Sequence, residues 1–231
     1  MIKPDQQLNV AILVYPMVEM IDMICPMDTF NKVNYNITVK GNKPRYNIYT
    51  VAETPEPIYS QERLVHITPT YSFHNCPPPD IIVVPGLITG PDKHNKNRGY
   101  SGGTEAIWRW LQQMNSQGRQ ILSVCVGAFI LEAAGLLDGK PATTHYGTLQ
   151  DLANKGAEKG IQVIGNVRYV DTSDNIVTAA GLTSGIAGAL HIIEKFDGSL
   201  AAQQAADLLM YNQDTPLPPD TLTSLLIKPN K

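Results

Sequence analysis

The stretch ILSVCVGAFILEAAG, residues 121–135, decides how the rest of the chain is read. Its first four residues suit a short strand buried on both faces, and Val126 to Ala134 reads as a small-residue helix ended by Gly135. Cys125 stands between the two, with Ser123 two residues before it and Gly127 two after. A sharp strand-to-helix elbow needs small neighbours there, because the backbone is strained and other segments pass close by. Such a turn carries the sulfur past the end of the sheet. The helix N-terminus behind it is expected to lower the thiol's pKa and favour the thiolate. A single cysteine is more often a small buried hydrophobe, so it is this flanking pattern that sets Cys125 apart from Cys25 and Cys76.

Outward from the elbow the same alternation recurs. Asn9 to Tyr15 (NVAILVY) reads as a strand, followed by a helix over about Met20 to Val33 with Met20, Ile24, Met27 and Phe30 on one face. Asn36 to Lys40 and Tyr46 to Val51 read as strands split by the turn Gly41 to Pro44. Asp80 to Val84 (DIIVV) is a central strand running into Pro85-Gly86. A polar, glycine-rich loop then extends to Gly103, and its basic group Lys93 to Arg98 reads as solvated. Thr104 is placed to cap a helix over Glu105 to Ser116. Downstream, Gln120 to Val124, Gln162 to Ile164, Val167 to Val170 and Ile176 to Ala179 read as strands. Thr148 to Lys159, Leu182 to Lys195 and Leu200 to Tyr211 read as helices. The pattern implies one α/β domain over residues 1–212, with helices around a mostly parallel sheet. A proline-rich tail, residues 213–231, is expected to be extended or loosely docked.

Composition narrows the function. A net charge of −3 with scattered basic residues gives no electrostatic case for nucleic acid or an anionic membrane. No apolar run approaches about 18 residues and no secretory leader is visible, so a cytoplasmic protein is expected. The three cysteines have unrelated spacings, which fit neither a disulfide framework nor a zinc site. His66, His74, His94 and His191 share no spacing, and no dinucleotide, P-loop, HExxH or EF-hand pattern occurs. No metal and no cofactor are expected.

In a parallel sheet, chemistry gathers at the carboxyl ends of the strands. Three candidate segments fall there: Glu19 to Asp22, Pro85 to Leu87, and Cys125 to Gly127. Asp22 interrupts an apolar stretch and is either a helix cap or a carboxyl aimed at the thiol, able to donate a hydrogen bond to a thiolate and shuttle a proton. Glu19 competes for that role. Gly86 and Leu87 are candidate backbone N–H donors to an oxyanion, as is Val126 at the elbow. His145, in PATTHYG, either pairs with the cysteine or is structural. Leu182 and Thr183, in GLTSG, are placed to border a pocket.

Four segments in order, VAILVYPMVEMIDMICP, DIIVVPG, SVCVGAFILEAAGLLDGKPATTH and RYVDTSDNIVTAAGLTSGIAGALHII, resemble the ThiJ/PfpI superfamily of the class I glutamine amidotransferase-like fold. The resemblance spans Leu8 to about Tyr211. Its wording is most similar to the isocyanide hydratase branch, and it also resembles the amidase-like N-terminal domains of AraC-type regulators. The resemblance implies Cys125 as nucleophile, Asp22 as its acidic partner, Gly86 and Leu87 as backbone donors, and His145 as a histidine that need not touch the thiol. It also implies a small electrophilic substrate and a homodimer. Two positions depart from the pattern: Val126 stands where hydratases commonly carry threonine, and Ala187 where an aspartate often opens the helix. The implied activity is hydration of an isocyanide to an N-substituted formamide. The alternative is a non-catalytic redox-sensing or ligand-binding protein built on an oxidisable Cys125. Only about 20 residues follow the last helix, too few for a helix-turn-helix pair.

Overall fold

The computed structural model describes residues 6–87, 103–212 and 226–230. Strand β1 (Leu8–Leu13) leads into helix α1 (Met20–Thr38) and strand β2 (Tyr46–Ala52). Three two-residue strands follow, β3 (Ile58–Tyr59), β4 (His66–Ile67) and β5 (Tyr71–Ser72), before the fully buried β6 (Ile81–Val84). Next come α2 (Glu105–Ser116), β7 (Gln120–Val124), α3 (Ala128–Ala133), β8 (Pro141–Ala142) and α4 (Leu149–Gly156). The chain continues through β9 (Gln162–Ile164), β10 (Tyr169–Asp171), β11 (Ile176–Ala179), α5 (Ser184–Asp197), α6 (Ser199–Leu208) and β12 (Leu226–Ile227).

The main sheet has the order β10-β11-β7-β6-β1-β2-β5. β10 runs antiparallel to β11, and the other pairs are parallel. This is the expected fold of helices around a mostly parallel sheet. The chain moves one way from β1 to β2 and the other way from β6 to β7, so the winding reverses between β1 and β6. Right-handed crossovers then place α1 and α2 on opposite faces, and a crevice opens at the carboxyl ends of these central strands. Strand residues Val10, Ile12, Ile82, Val83, Ile121 and Leu122 are wholly buried beneath those helices.

The structure corrects the sequence reading in several places. Asn36 to Lys40 does not form a strand: α1 runs on to Thr38. The β-branched run Ile37-Thr38-Val39 is a weak local preference, overridden by packing. Phe30 and Val33 continue the buried stripe of the helix, and Asn34 exchanges two 2.8 Å hydrogen bonds with the Tyr46 backbone, tying α1 to β2. The strand placed at Val167 begins at Tyr169, and the helix placed at Leu182 begins at Ser184. Thr104 caps α2 as expected, accepting from the Ile107 N–H at 3.3 Å. The loop Lys93 to Arg98 and residues 213–225 lie outside the described residues. At the end of the chain, β12 pairs antiparallel with β9 in a second sheet that also holds β8.

Candidate active site

Cys125 occupies the turn between β7 and α3 with φ at +58°, a left-handed conformation that costs a non-glycine residue about 1–2 kcal/mol. Two features hold the turn. Thr144 donates its hydroxyl to the Cys125 carbonyl at 2.9 Å. Gly127 lets β6 approach: a Cβ there would lie 2.2 Å from the Val84 oxygen and 2.7 Å from the Pro85 oxygen. The smallness of residue 127, visible in the sequence, is therefore a steric requirement. Ser123 serves differently. It is fully buried in β7, and among the described residues its hydroxyl finds no partner.

Asp22, in the first turn of α1, is fully buried and lies beside the sulfur. Its Oδ2 accepts the Gly86 N–H from the end of β6, and its Oδ1 accepts the Leu182 N–H from the end of β11, each at 3.0 Å. Its carboxyl and the Cys125 thiol lie close enough to influence each other, and the Val126 N–H acts on the same sulfur. Four strand ends thus meet on one acid and one thiol.

Among the described residues no cation faces the pair, and its electrostatics follow from burial. Desolvation pushes Asp22 up to about 7, Glu19 adds to the rise, and the Gly86 and Leu182 N–H groups and the thiol oppose it. Cys125 is also pushed up, first by burial and then by the Asp22 charge, with the Val126 N–H pulling the other way. The sequence-based expectation of a thiol lowered by a helix end is not met. α3 is only six residues long, and the sulfur's residue is 3% exposed beside a carboxyl. Both groups are biased towards their protonated forms, and Asp22 changes state near neutral pH.

The remaining sequence candidates fall into two groups. Glu19 does not reach the thiol as a partner. Its side chain caps α1, accepting from the Ile21 N–H at 3.3 Å and from Gln61 Nε2 at 2.8 Å. Burial raises its carboxyl as well. Gly86, expected to donate to an oxyanion, donates instead to Asp22, and a Cβ at that position would come within 2.6 Å of Asp22 Oδ2. Leu87 lies next to it, bridged antiparallel to Val18. Leu182 enters through its backbone, in a turn with φ at +42°. Thr183 is exposed and its side chain caps nothing.

His145 stands one residue further out. A Cβ on Gly181 would meet its Cδ2 at 3.0 Å on one side and the Cys125 sulfur at 3.7 Å on the other. Its Nδ1 accepts from the Gly147 N–H at 3.2 Å, and burial lowers its pKa. Ala187 is wholly buried in α5. Sequence reading missed Tyr15, Gln61, Thr144 and Gly181. Tyr15 carried a signal: a phenol at the carboxyl end of an otherwise aliphatic strand needs a partner when buried.

Comparison with known proteins identifies the family and the fold. The DJ-1/PfpI family matches residues 8–195. The chain belongs to the DJ-1/PfpI family. Within it, the chain is 30% identical over 224 residues to the isonitrile hydratase of Pseudomonas putida, an alignment covering 95% of this chain and 87% of the hydratase. A ThiJ/PfpI family protein from Pseudomonas syringae superposes with a TM-score of 0.69 at 26% identity, covering 95% of this chain and 80% of that one. Drosophila melanogaster DJ-1beta shares the fold, with a TM-score of 0.70 at 18% identity over 90% of this DJ-1/PfpI chain and all of its own. No helix among the described residues is long and apolar enough to cross a membrane.

Proposed function

We propose that this DJ-1/PfpI protein is a cysteine-dependent enzyme that adds water to an isonitrile, giving an N-substituted formamide. The observation that carries the reading is the buried Asp22 carboxyl, set beside the Cys125 thiol and fixed by two backbone N–H groups. The likeness to an isonitrile hydratase supports the choice of substrate.

The steps balance around one proton shared by the pair. The Cys125 sulfur attacks the terminal carbon of the isonitrile, and Asp22 delivers its proton to that carbon, leaving a thioimidate and a carboxylate. The carboxylate removes a proton from water as the oxygen adds to the thioimidate carbon, and that proton passes on to nitrogen. The carbon–sulfur bond then breaks, the hydroxyl proton returns to Asp22, and the formamide leaves. An acid with a pKa of about 7 suits both halves, because it gives and takes a proton with comparable ease at neutral pH. Incubation with cyclohexyl isocyanide tests the reading. Formamide is expected from the native protein and none from Cys125→Ala, whereas no turnover by the native protein, or equal turnover by the variant, rejects it.

One observation favours a second reading. Val126 places an isopropyl group beside the thiol where a hydroxyl would help to position water, and its Cγ2 comes within 2.9 Å of a Cβ built on Gly86. A redox-sensing or ligand-binding protein needs no water there. Mild peroxide followed by peptide mass spectrometry separates the two: selective oxidation at Cys125 together with absent formamide supports sensing.

A further inference from the structure

The Tyr15 side chain, at the end of the first strand, has no place in the steps above. It is buried, and its hydroxyl donates a hydrogen bond to the Pro85 carbonyl. That carbonyl and the Gly86 N–H are the two ends of one peptide unit. The N–H end donates to Asp22 Oδ2 at 3.0 Å. The chain Tyr15 hydroxyl, Pro85–Gly86 peptide, Asp22 carboxyl, Cys125 thiol is therefore continuous. The peptide is pinned elsewhere too. The next carbonyl, of Gly86, accepts the Glu19 N–H at 2.9 Å, and Gly127 packs directly on the Pro85 oxygen.

We propose that Tyr15 is a positioning residue that acts on the Asp22–Cys125 pair through the Pro85–Gly86 peptide. An O–H donated to a carbonyl polarises the amide and makes its N–H a stronger donor, since hydrogen bonds in a chain reinforce one another. A stronger N–H favours the carboxylate form of Asp22 and so opposes the rise that burial causes. Tyr15 in this way trims the acid towards neutrality. The groups with titratable protons facing Asp22 are Tyr15 from the end of β1, Glu19 and Cys25 from α1, and Cys125 from the elbow. Among the described residues, the ends of β6 and β11 present backbone N–H groups to it. Tyr15 is held neutral far above the range in which Asp22 titrates, its own phenol raised first by burial and then by the Asp22 and Cys125 charges. Its influence is therefore that of a fixed dipole. The inference rests on the proposed Cys125–Asp22 pairing but not on the identity of the substrate.

The test reads the thiol rather than turnover. The native chain, Tyr15→Phe and Tyr49→Phe are alkylated with iodoacetamide across pH 5–10, and modification is quantified for each cysteine-containing peptide. Tyr49 donates its hydroxyl to the Pro77 carbonyl far from the thiol, and so controls for the loss of a comparable bond. Within this range the Cys125 profile reports the ionisation of Asp22 beside it, and Tyr15→Phe is expected to move that step up by about half a pH unit. Tyr49→Phe should leave it in place; Cys25, which feels the Asp22 charge, should keep its native profile in Tyr49→Phe, and Cys76, which lies beside Tyr49, should keep its native profile in Tyr15→Phe. A more acidic phenol, 3-fluorotyrosine at position 15, donates more strongly and should move the midpoint down, an arm that stands if Tyr15→Phe fails to fold. Superimposed profiles, or equal shifts in both phenylalanine variants, overturn the proposal. If formamide never forms but the Cys125 midpoint still moves as described, the hydratase reading fails and the role of Tyr15 holds.

Discussion

Two aspartates in this molecule sit beside titratable partners and are driven in opposite directions. Asp22 is sealed at the strand ends with a thiol, two backbone N–H groups and a second carboxyl nearby, and burial carries it up to about 7. Asp171, at the end of β10, is about a quarter exposed. Burial is the largest single influence and raises it, but the His191 hydrogen bond at 2.6 Å, the Ser173 N–H and Lys195 at 3.3 Å together outweigh it and hold it below the usual carboxylate range. The Tyr169 ring stacks on His191 at 4.8 Å and finishes a clamp between the edge strand and α5. Paired with a lysine and a histidine, the carboxylate is structural. With no such partner among the described residues, Asp22 keeps its proton to higher pH, and in the proposed reaction that proton goes to the substrate.

The largest test of this contrast is Asp22→Asn. A carboxyl raised when folded contributes stability that is fully present below its unfolded pKa, near 4, and is lost as pH rises through about 7. Over that window the native protein should lose roughly 4 kcal/mol attributable to this group. Urea midpoints of Asp22→Asn should be much flatter from pH 4 to 8, and any formamide activity should fall about a hundredfold or more. Asp171→Asn should show the reverse pattern with a smaller size. A carboxyl lowered when folded stabilises above its unfolded pKa and loses that contribution as pH falls through the folded value. The variant should therefore be weaker by about 1 kcal/mol at pH 7 and match the native protein in acid, measured by the same urea series. Lys195→Met, which removes one half-exposed partner of Asp171, should cost less than about 0.5 kcal/mol.

Much of this organisation is legible in the sequence, for reasons that differ by region. The buried runs Asp80 to Val84 and Gln120 to Val124 have no competing periodicity, and they fall on β6 and β7 almost to the residue. The segment after Val33 is harder to read, because Ile37-Thr38-Val39 has strand-like composition, and the helix is held there by packing and by the long-range Asn34–Tyr46 hydrogen bonds, which local sequence does not show. Chain order alone placed Asp22, Gly86 and Cys125 at strand ends. It could not show that Gly86 donates to Asp22 rather than outwards, since that depends on where a loop 64 residues away settles. The thiol was misread for a related reason. A helix end is visible in sequence, but depth of burial is not, and here burial is the larger effect.

The contrast between the two aspartates rests most directly on the ionisation of Asp22. Carbon-13 NMR of the protein labelled at its aspartate carboxyls, with Asp22→Asn and Asp171→Asn used to assign the two signals, measures both in one pH series. An Asp22 resonance that titrates near pH 7, with Asp171 titrating below the ordinary carboxylate midpoint, is the expected result. An Asp22 signal with an ordinary midpoint, near 4, contradicts the reading of this site as a thiol and an acid sharing one proton.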